Sequence, residues 1–118
     1  MIVGAWLIQR QDHTPGEVQV VVPELSEVAR AGRLGFERTC AECHGADARG
    51  STKGPPLVHP TYRRALHADI AFERAVRQGV RAHHWPFPDM PPQRSVTAAE
   101  ISAITRYVRE LQKANGID

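Results

Sequence analysis

The sequence predicts an all-α fold, and three observations carry that reading. Apolar residues recur at helical spacing in separate stretches, with start and stop signals at their ends. No pair of alternating stretches demands a sheet. The connections are long and rich in Gly and Pro, which in a small domain means that they wrap something or carry function. A chain of 118 residues suits one domain. At that size only about two-thirds of the unfolded surface is buried on folding, so a large internal cofactor would add materially to the core.

The elements follow in order. Residues 1–24 read as an N-terminal extension, in which residues 2–8 are an apolar run too short to span a bilayer and without a basic stretch before it. Two readings fit it: the tail of a signal or membrane anchor, or an apolar patch. Residues 17–22 are rich in Val and suit an extended chain. A domain is expected over 25–118. Its first helix starts at Ser26 as N-cap, carries Leu25, Val28, Gly32, Phe36 and Cys40 at helical spacing, and ends near Gly45. Residues 46–60 form a loop, and a short helix is expected over 62–66. A second clear helix spans about 69–78, with Phe72, Ala75 and Val76 inward and Gly79 as its stop. Residues 80–94 form a loop with four prolines. The last helix opens on the capping box Thr97-Ala98-Ala99-Glu100, with Val96 stapled to Ile101. Ile101, Ile104, Val108 and Leu111 form its apolar stripe, and Asn115-Gly116 closes it.

Fifteen basic and thirteen acidic residues leave a formal charge of +2. That balance, without a Lys/Arg-rich run, argues against a nucleic-acid partner. The chemistry concentrates in Cys40-Ala41-Glu42-Cys43-His44, which matches the c-type haem attachment motif. On a helix, positions i, i+3 and i+4 share a face. Two thiols so placed reach the two vinyl groups of one porphyrin, and the imidazole comes beneath its iron. Zinc is a poorer reading, because there is no second Cys pair and the other histidines lack finger spacing. A thiol redox pair is poorer too, because the β-α-β pattern that usually carries one is absent.

From Leu25 to Gly116 the chain resembles class I, mono-haem bacterial cytochromes c. Gly32-Arg33-Leu34-Gly35-Phe36 and Ile104-Thr105-Arg106-Tyr107 correspond to that family's helix-crossing pair. Gly54-Pro55-Pro56-Leu57 corresponds to its segment after the motif, and Pro88-Asp89-Met90-Pro91-Pro92 to its distal loop. The resemblance implies three main helices and long loops around one covalent haem c. It implies a cofactor site made of Cys40, Cys43, His44, Pro55 and Met90, with His44 and Met90 as iron ligands and the Pro55 carbonyl accepting from the His44 ring. His83 and His84 are rival distal ligands. They, Trp85, Tyr62, His59 and His67 also suit the haem rim, a haem carboxylate or a partner surface.

The function so implied is single-electron transfer between exported or membrane redox partners, with no catalytic residues. Two alternatives remain: an electron-transfer subunit of a larger dehydrogenase or oxidase, and a haem enzyme or sensor with an open distal site. Attachment of haem to this motif follows export, so the expected location is the periplasm or its equivalent, with membrane association through the N-terminus as one form.

Overall fold

The computed structural model describes residues 17–82 and 87–118. Four α-helices form among them: α1 (Glu27–Thr39), α2 (Ala41–His44), α3 (Asp69–Gln78) and α4 (Ala98–Ala114). Single 3₁₀ turns at Ala46–Ala48 and Pro60–Tyr62 punctuate the loop before α3. The described residues form no sheet. Their one extended pairing is an antiparallel bridge between Val80 and Met90. The all-α expectation, with three long helices, therefore holds.

Helix α1 begins where expected. Ser26 Oγ accepts from the Ala29 amide at 3.1 Å, and Ser26 donates its own amide and hydroxyl to the Glu110 carboxylate on α4 at 2.9 and 2.6 Å. The start of one long helix is thus tied to the other. The buried stripe is Leu25, Ala29, Gly32 and Phe36, whereas Val28 is half exposed. Val28 lies about 100° around the helix from Ala29, which takes the inward place.

The helix does not run unbroken to Gly45. It loosens at Cys40 (φ −106°), whose carbonyl accepts from both Cys43 (3.2 Å) and His44 (2.9 Å), and α2 follows as a tighter single turn. Gly45 then ends it at φ +80°. A Cβ there would overlap the Gly50 carbonyl, so only glycine fits. Beyond it Asp47 and Ala48 stand at φ +53° and +56°, unusual for residues with a Cβ. Asp47 is held there by the Tyr107 hydroxyl at 2.7 Å and by Arg33 and Arg49 at 3.3 and 3.5 Å.

The short helix expected over 62–66 forms earlier, as the 3₁₀ turn Pro60–Tyr62. Pro60 sits at a favourable first position, and the His59 ring accepts from the Thr61 amide at 3.1 Å. Helix α4 has the full capping box. At its other end Ile117 donates to the Gln112 carbonyl and Gly116 (φ +78°) to that of Lys113, the pattern of a Schellman cap.

Helices α1 and α4 cross at Gly32. A Cβ on Gly32 would occupy the space of the Ala103 carbonyl, so the two backbones touch there. Beside the crossing the rings of Phe36 and Tyr107 meet edge to face, 5.5 Å apart, and both are fully buried. Residues 17–22 form neither helix nor strand and are held to the domain, Val18 donating to the Arg49 carbonyl at 2.8 Å. Asn115 bonds Val21 at both its amide and its carbonyl, at 2.8 Å each, and Val20 and Val22 pack on the core.

The crossing gives a direct test. Gly32→Leu is expected to lower stability by at least about 1–3 kcal/mol, read as a lower urea midpoint, because backbone rather than side chain blocks the added carbon. An unchanged midpoint would mean that the helices do not touch at this point.

Candidate functional site

A cavity of about 590 Å³ lies between α1, α3, α4 and the two long loops. Its walls are mostly apolar. Phe36 closes one side, Ile101, Ile104 and Val108 come from α4, and Ala71, Phe72, Ala75 and Val76 come from α3. No residue of α3 is buried. Its apolar face, correctly assigned to Phe72, Ala75 and Val76, lines the cavity, with Phe72 and Val76 also touching the edge of the core. That suits a helix whose packing partner is a bound group.

Four of the five residues expected to hold the cofactor line this one cavity: Cys40, His44, Pro55 and Met90. Cys43 is half-buried beside them on the α2 turn. His44 is buried, and its Nδ1 donates to the Pro55 carbonyl at 2.8 Å. With the proton on Nδ1, the Nε2 lone pair is left for a ligand bond. Burial lowers the pKa of His44, opposed by the Pro55 bond, and this favours the neutral ring that a metal needs. Burial, together with Cys43, pushes the Cys40 thiol up to about 11.

The loop beneath His44 is stitched by short bonds. Gly50 donates to the His44 carbonyl at 2.6 Å, and the Ser51 hydroxyl donates to that of Cys43 at 2.6 Å. Gly54 has no room for a side chain, since a Cβ would stand 2.8 Å from the Cys43 carbonyl and 3.3 Å from His44 Nδ1. The glycine thereby lets Pro55 reach the ring.

Met90 is placed by the other loop. Its amide and carbonyl pair with Val80 at 2.8 and 2.9 Å, and Gln93 donates to the Val76 carbonyl at 2.6 Å. Gly79 (φ +77°) permits this, for a Cβ there would come within 2.5 Å of the Met90 carbonyl. Asp89 adds a bond from the Ala82 amide at 2.7 Å. The strand-like bridge inside this loop was not foreseen from its prolines. His83, His84 and Trp85 lie outside the described residues.

Two functional residues were missed. Arg109 and Gln112 are buried on α4, beside its apolar stripe. Arg109 donates to Asp69 at 2.8 Å, to the Tyr62 carbonyl at 2.8 Å, to Gln112 at 2.9 Å and to the His67 carbonyl. Its guanidinium also lies 4.6 Å from the Phe72 ring centroid. Gln112 donates to the carbonyls of Leu57 and Tyr62 at 3.0 Å each. The pair fixes the loop that carries Thr61, Tyr62 and His67 along the cavity. The available signal was Thr105, Arg109 and Gln112 at i, i+4 and i+7, a polar row bordering the apolar one.

Among the described residues no group of three or more His, Cys, Asp or Glu gathers as metal ligands, so the zinc reading finds no donor set there. No helix among them is long and apolar enough to cross a membrane.

Comparison with known proteins agrees with this geometry. The family model described as cytochrome c matches residues 29–112. Cytochrome cL from the marine methylotrophic bacterium Methylophaga aminisulfidivorans MPT is similar in structure, with a TM-score of 0.54 and 32% identity over 70% of this chain and 54% of that one. This chain therefore spans about half the length of that protein. No curated protein matches the chain. The residues present fit haem: a mostly apolar cavity, an imidazole with its lone pair free, a thioether and two thiols three residues apart.

Arg109→Met keeps the packing length but orphans the His67 carbonyl and the Gln112 side-chain oxygen, while the Tyr62 carbonyl keeps its bond from Gln112. A loss of about 1–3 kcal/mol per orphaned group is expected, with faster amide exchange in residues 57–68. Unaltered exchange there would show that the loop does not depend on this side chain.

Proposed function

The chain belongs to the cytochrome c family, and from that premise we propose how its own residues serve a mono-haem electron carrier. Membership brings one covalent haem c and transfer of single electrons to redox partners. When bound, haem supplies an iron that alternates between ferric and ferrous states. In our reading Cys40 and Cys43 would hold the haem covalently as thioethers, and His44 Nε2 would ligate its iron. The Pro55 carbonyl, accepting from Nδ1, orients the ring and raises its basicity. Met90 Sδ is the distal ligand, a soft neutral donor that raises the potential.

The observation that carries this reading is His44 and Met90 on one apolar cavity, brought there by different segments and each fixed by backbone bonds. The same fixing favours a carrier over an enzyme or sensor with an open distal site. Met90 is paired with Val80 through its own amide and carbonyl, close beside Gly79, which resists withdrawal of the sulfur. Apolar walls exclude water and keep reorganisation small when the charge on iron changes. We assign the haem domain to residues 25–118 with 17–24 laid on its surface, and we read the protein as exported, because attachment to this motif follows export.

Two outcomes are expected. Protein made in cells competent for c-type maturation should exceed its polypeptide mass by one haem and keep it through acid–acetone extraction, whereas a polypeptide-only mass would end the attachment reading. Met90→Ala should abolish the weak sulfur-to-iron band of the ferric protein, lower its potential and open a site to cyanide. If band and potential survive that change, Met90 is not the ligand, and His83 or His84 takes its place.

A further inference from the structure

The formal surplus of +2 is not spread over the molecule. Residues 73–94 hold four of the 15 basic residues, Arg74, Arg77, Arg81 and Arg94, and two of the 13 acidic ones, Glu73 and Asp89, which leaves eleven of each sign elsewhere. The whole surplus therefore belongs to this stretch. Both of its carboxylates are already engaged. Glu73 pairs with Arg77 at 3.2 Å, and Asp89 accepts from the Ala82 amide at 2.7 Å. Arg74, Arg81 and Arg94 are exposed, and no carboxylate among the described residues pairs with any of them.

The fold gathers these arginines at one place. On α3, Ile70, Arg74 and Arg77 lie on the side opposite Ala71, Phe72, Ala75 and Val76, which line the cavity. Arg81 follows Val80, whose backbone is bridged to that of Met90. Arg94 follows Gln93, whose amide donates to the Val76 carbonyl on α3 at 2.6 Å. The C-terminal half of α3 and the Val80–Met90 bridge thus form one frame, with the arginines around it. Ile70, which is 51% exposed, adds an apolar contact on the same helix face. The attachment motif offers no such surplus, since its exposed Glu42 stands 4.0 Å from Lys53.

We propose that the outer face of α3 and the adjoining Val80–Met90 bridge are the docking surface for an acidic redox protein, and that the electron crosses there. The inference rests on the haem attachment proposed above. All four cations are arginines. A guanidinium is weakly hydrated and meets a carboxylate with two parallel N–H donors, and Arg is enriched at protein interfaces where Lys is depleted. Unpaired cations also steer an anionic partner and raise its rate of encounter. Val80 and Arg81 both line the cavity, so a partner seated on them is one layer of side chains from the cofactor. A single electron passes between the iron and the partner's own redox centre. No bond forms or breaks, and no proton moves. An anionic lipid surface fits less well, because Glu73 and Asp89 would face its headgroups.

The test uses the holoprotein at low and high salt with three probes. Hexacyanoferrate(III), an anion, and tris(phenanthroline)cobalt(III), a cation, oxidise the ferrous form. An acidic flavodoxin hydroquinone reduces the ferric form. The ratio of anionic to cationic rates removes any change in driving force. Arg74→Gln, Arg81→Gln and Arg94→Gln are combined in one variant. Arg38→Gln, Lys53→Gln and Lys113→Gln are combined in a second, which loses the same charge elsewhere. At low salt the first should lose about tenfold in that ratio and in the flavodoxin rate, and the second far less. Equal losses mean that net charge alone acts, and they overturn the proposal, as does a first variant that loses nothing.

Should the first variant not mature, amide shifts of the wild type on adding oxidised flavodoxin decide. They must fall in residues 70–81 and 88–94, and shifts centred on residues 40–54 overturn the proposal. Phosphatidylserine vesicles test the lipid alternative. Vesicle binding that needs the three arginines, with flavodoxin rates that do not, assigns the surface to lipid and overturns the proposal. Acid–acetone extraction of the same samples separates the two levels. Covalent haem with rates indifferent to these arginines defeats only this inference, whereas absent covalent haem defeats the proposed attachment and this inference with it.

Discussion

The contact between the backbones of α1 and α4 at Gly32 is the constraint on which the rest of the structure depends. With no Cβ at that point, Gly32 rests on the Ala103 carbonyl, and the two longest helices come as close as helices can. Phe36 and Tyr107 then meet one turn further on, and Cys40 follows another turn beyond, facing the cavity. The attachment motif is thereby aimed by a rigid crossing. Further bonds from Ser26 to Glu110 and from Tyr107 to Asp47 fix the same pair of elements at two other heights.

What the crossing leaves unfilled is as informative as what it packs. α3 buries none of its residues, and Phe72, Ala75 and Val76 turn to a cavity of about 590 Å³. Side chains elsewhere in a folded interior pack to the density of organic crystals, and these apolar walls suit a large apolar cofactor as the remaining packing partner. The long loops are explained by the same fact. They are stapled by the Gly50–His44 bond in one and by the Val80–Met90 bridge in the other, and Pro55 and Leu57 of the first and Arg81, Phe87 and Pro88 of the second line the cavity. A bound porphyrin supplies the missing surface for both loops and for α3.

The capping box, the glycine at the crossing, the attachment motif and Gly54-Pro55 were legible in the sequence because each is local. Its meaning depends on a few neighbouring residues and on one backbone requirement. The break at Cys40 was not legible, because a carbonyl shared between Cys43 and His44 leaves no mark on residue type. Val28 was misplaced for a related reason: Val28 and Ala29 both satisfy an apolar pattern, and only the position of α4 selects between them. Arg109 and Gln112 were overlooked because a polar residue beside an apolar stripe reads as a solvated flank. Their carbonyl partners at Leu57, Tyr62 and His67 are 42 to 55 residues away, and no local pattern announces them.

Arg109 shows why a permanent cation suits the brace beside the pocket. A guanidinium keeps its proton at every accessible pH, so Arg109 provides a constant field, largely compensated by Asp69 and three polar acceptors. Its role is to hold the loop. An imidazole in that buried position would release the loop's carbonyls whenever it lost its charge, coupling the fold itself to pH. The arrangement observed avoids that: the bracing cation is permanent, and it secures the loop at the Tyr62 and His67 carbonyls.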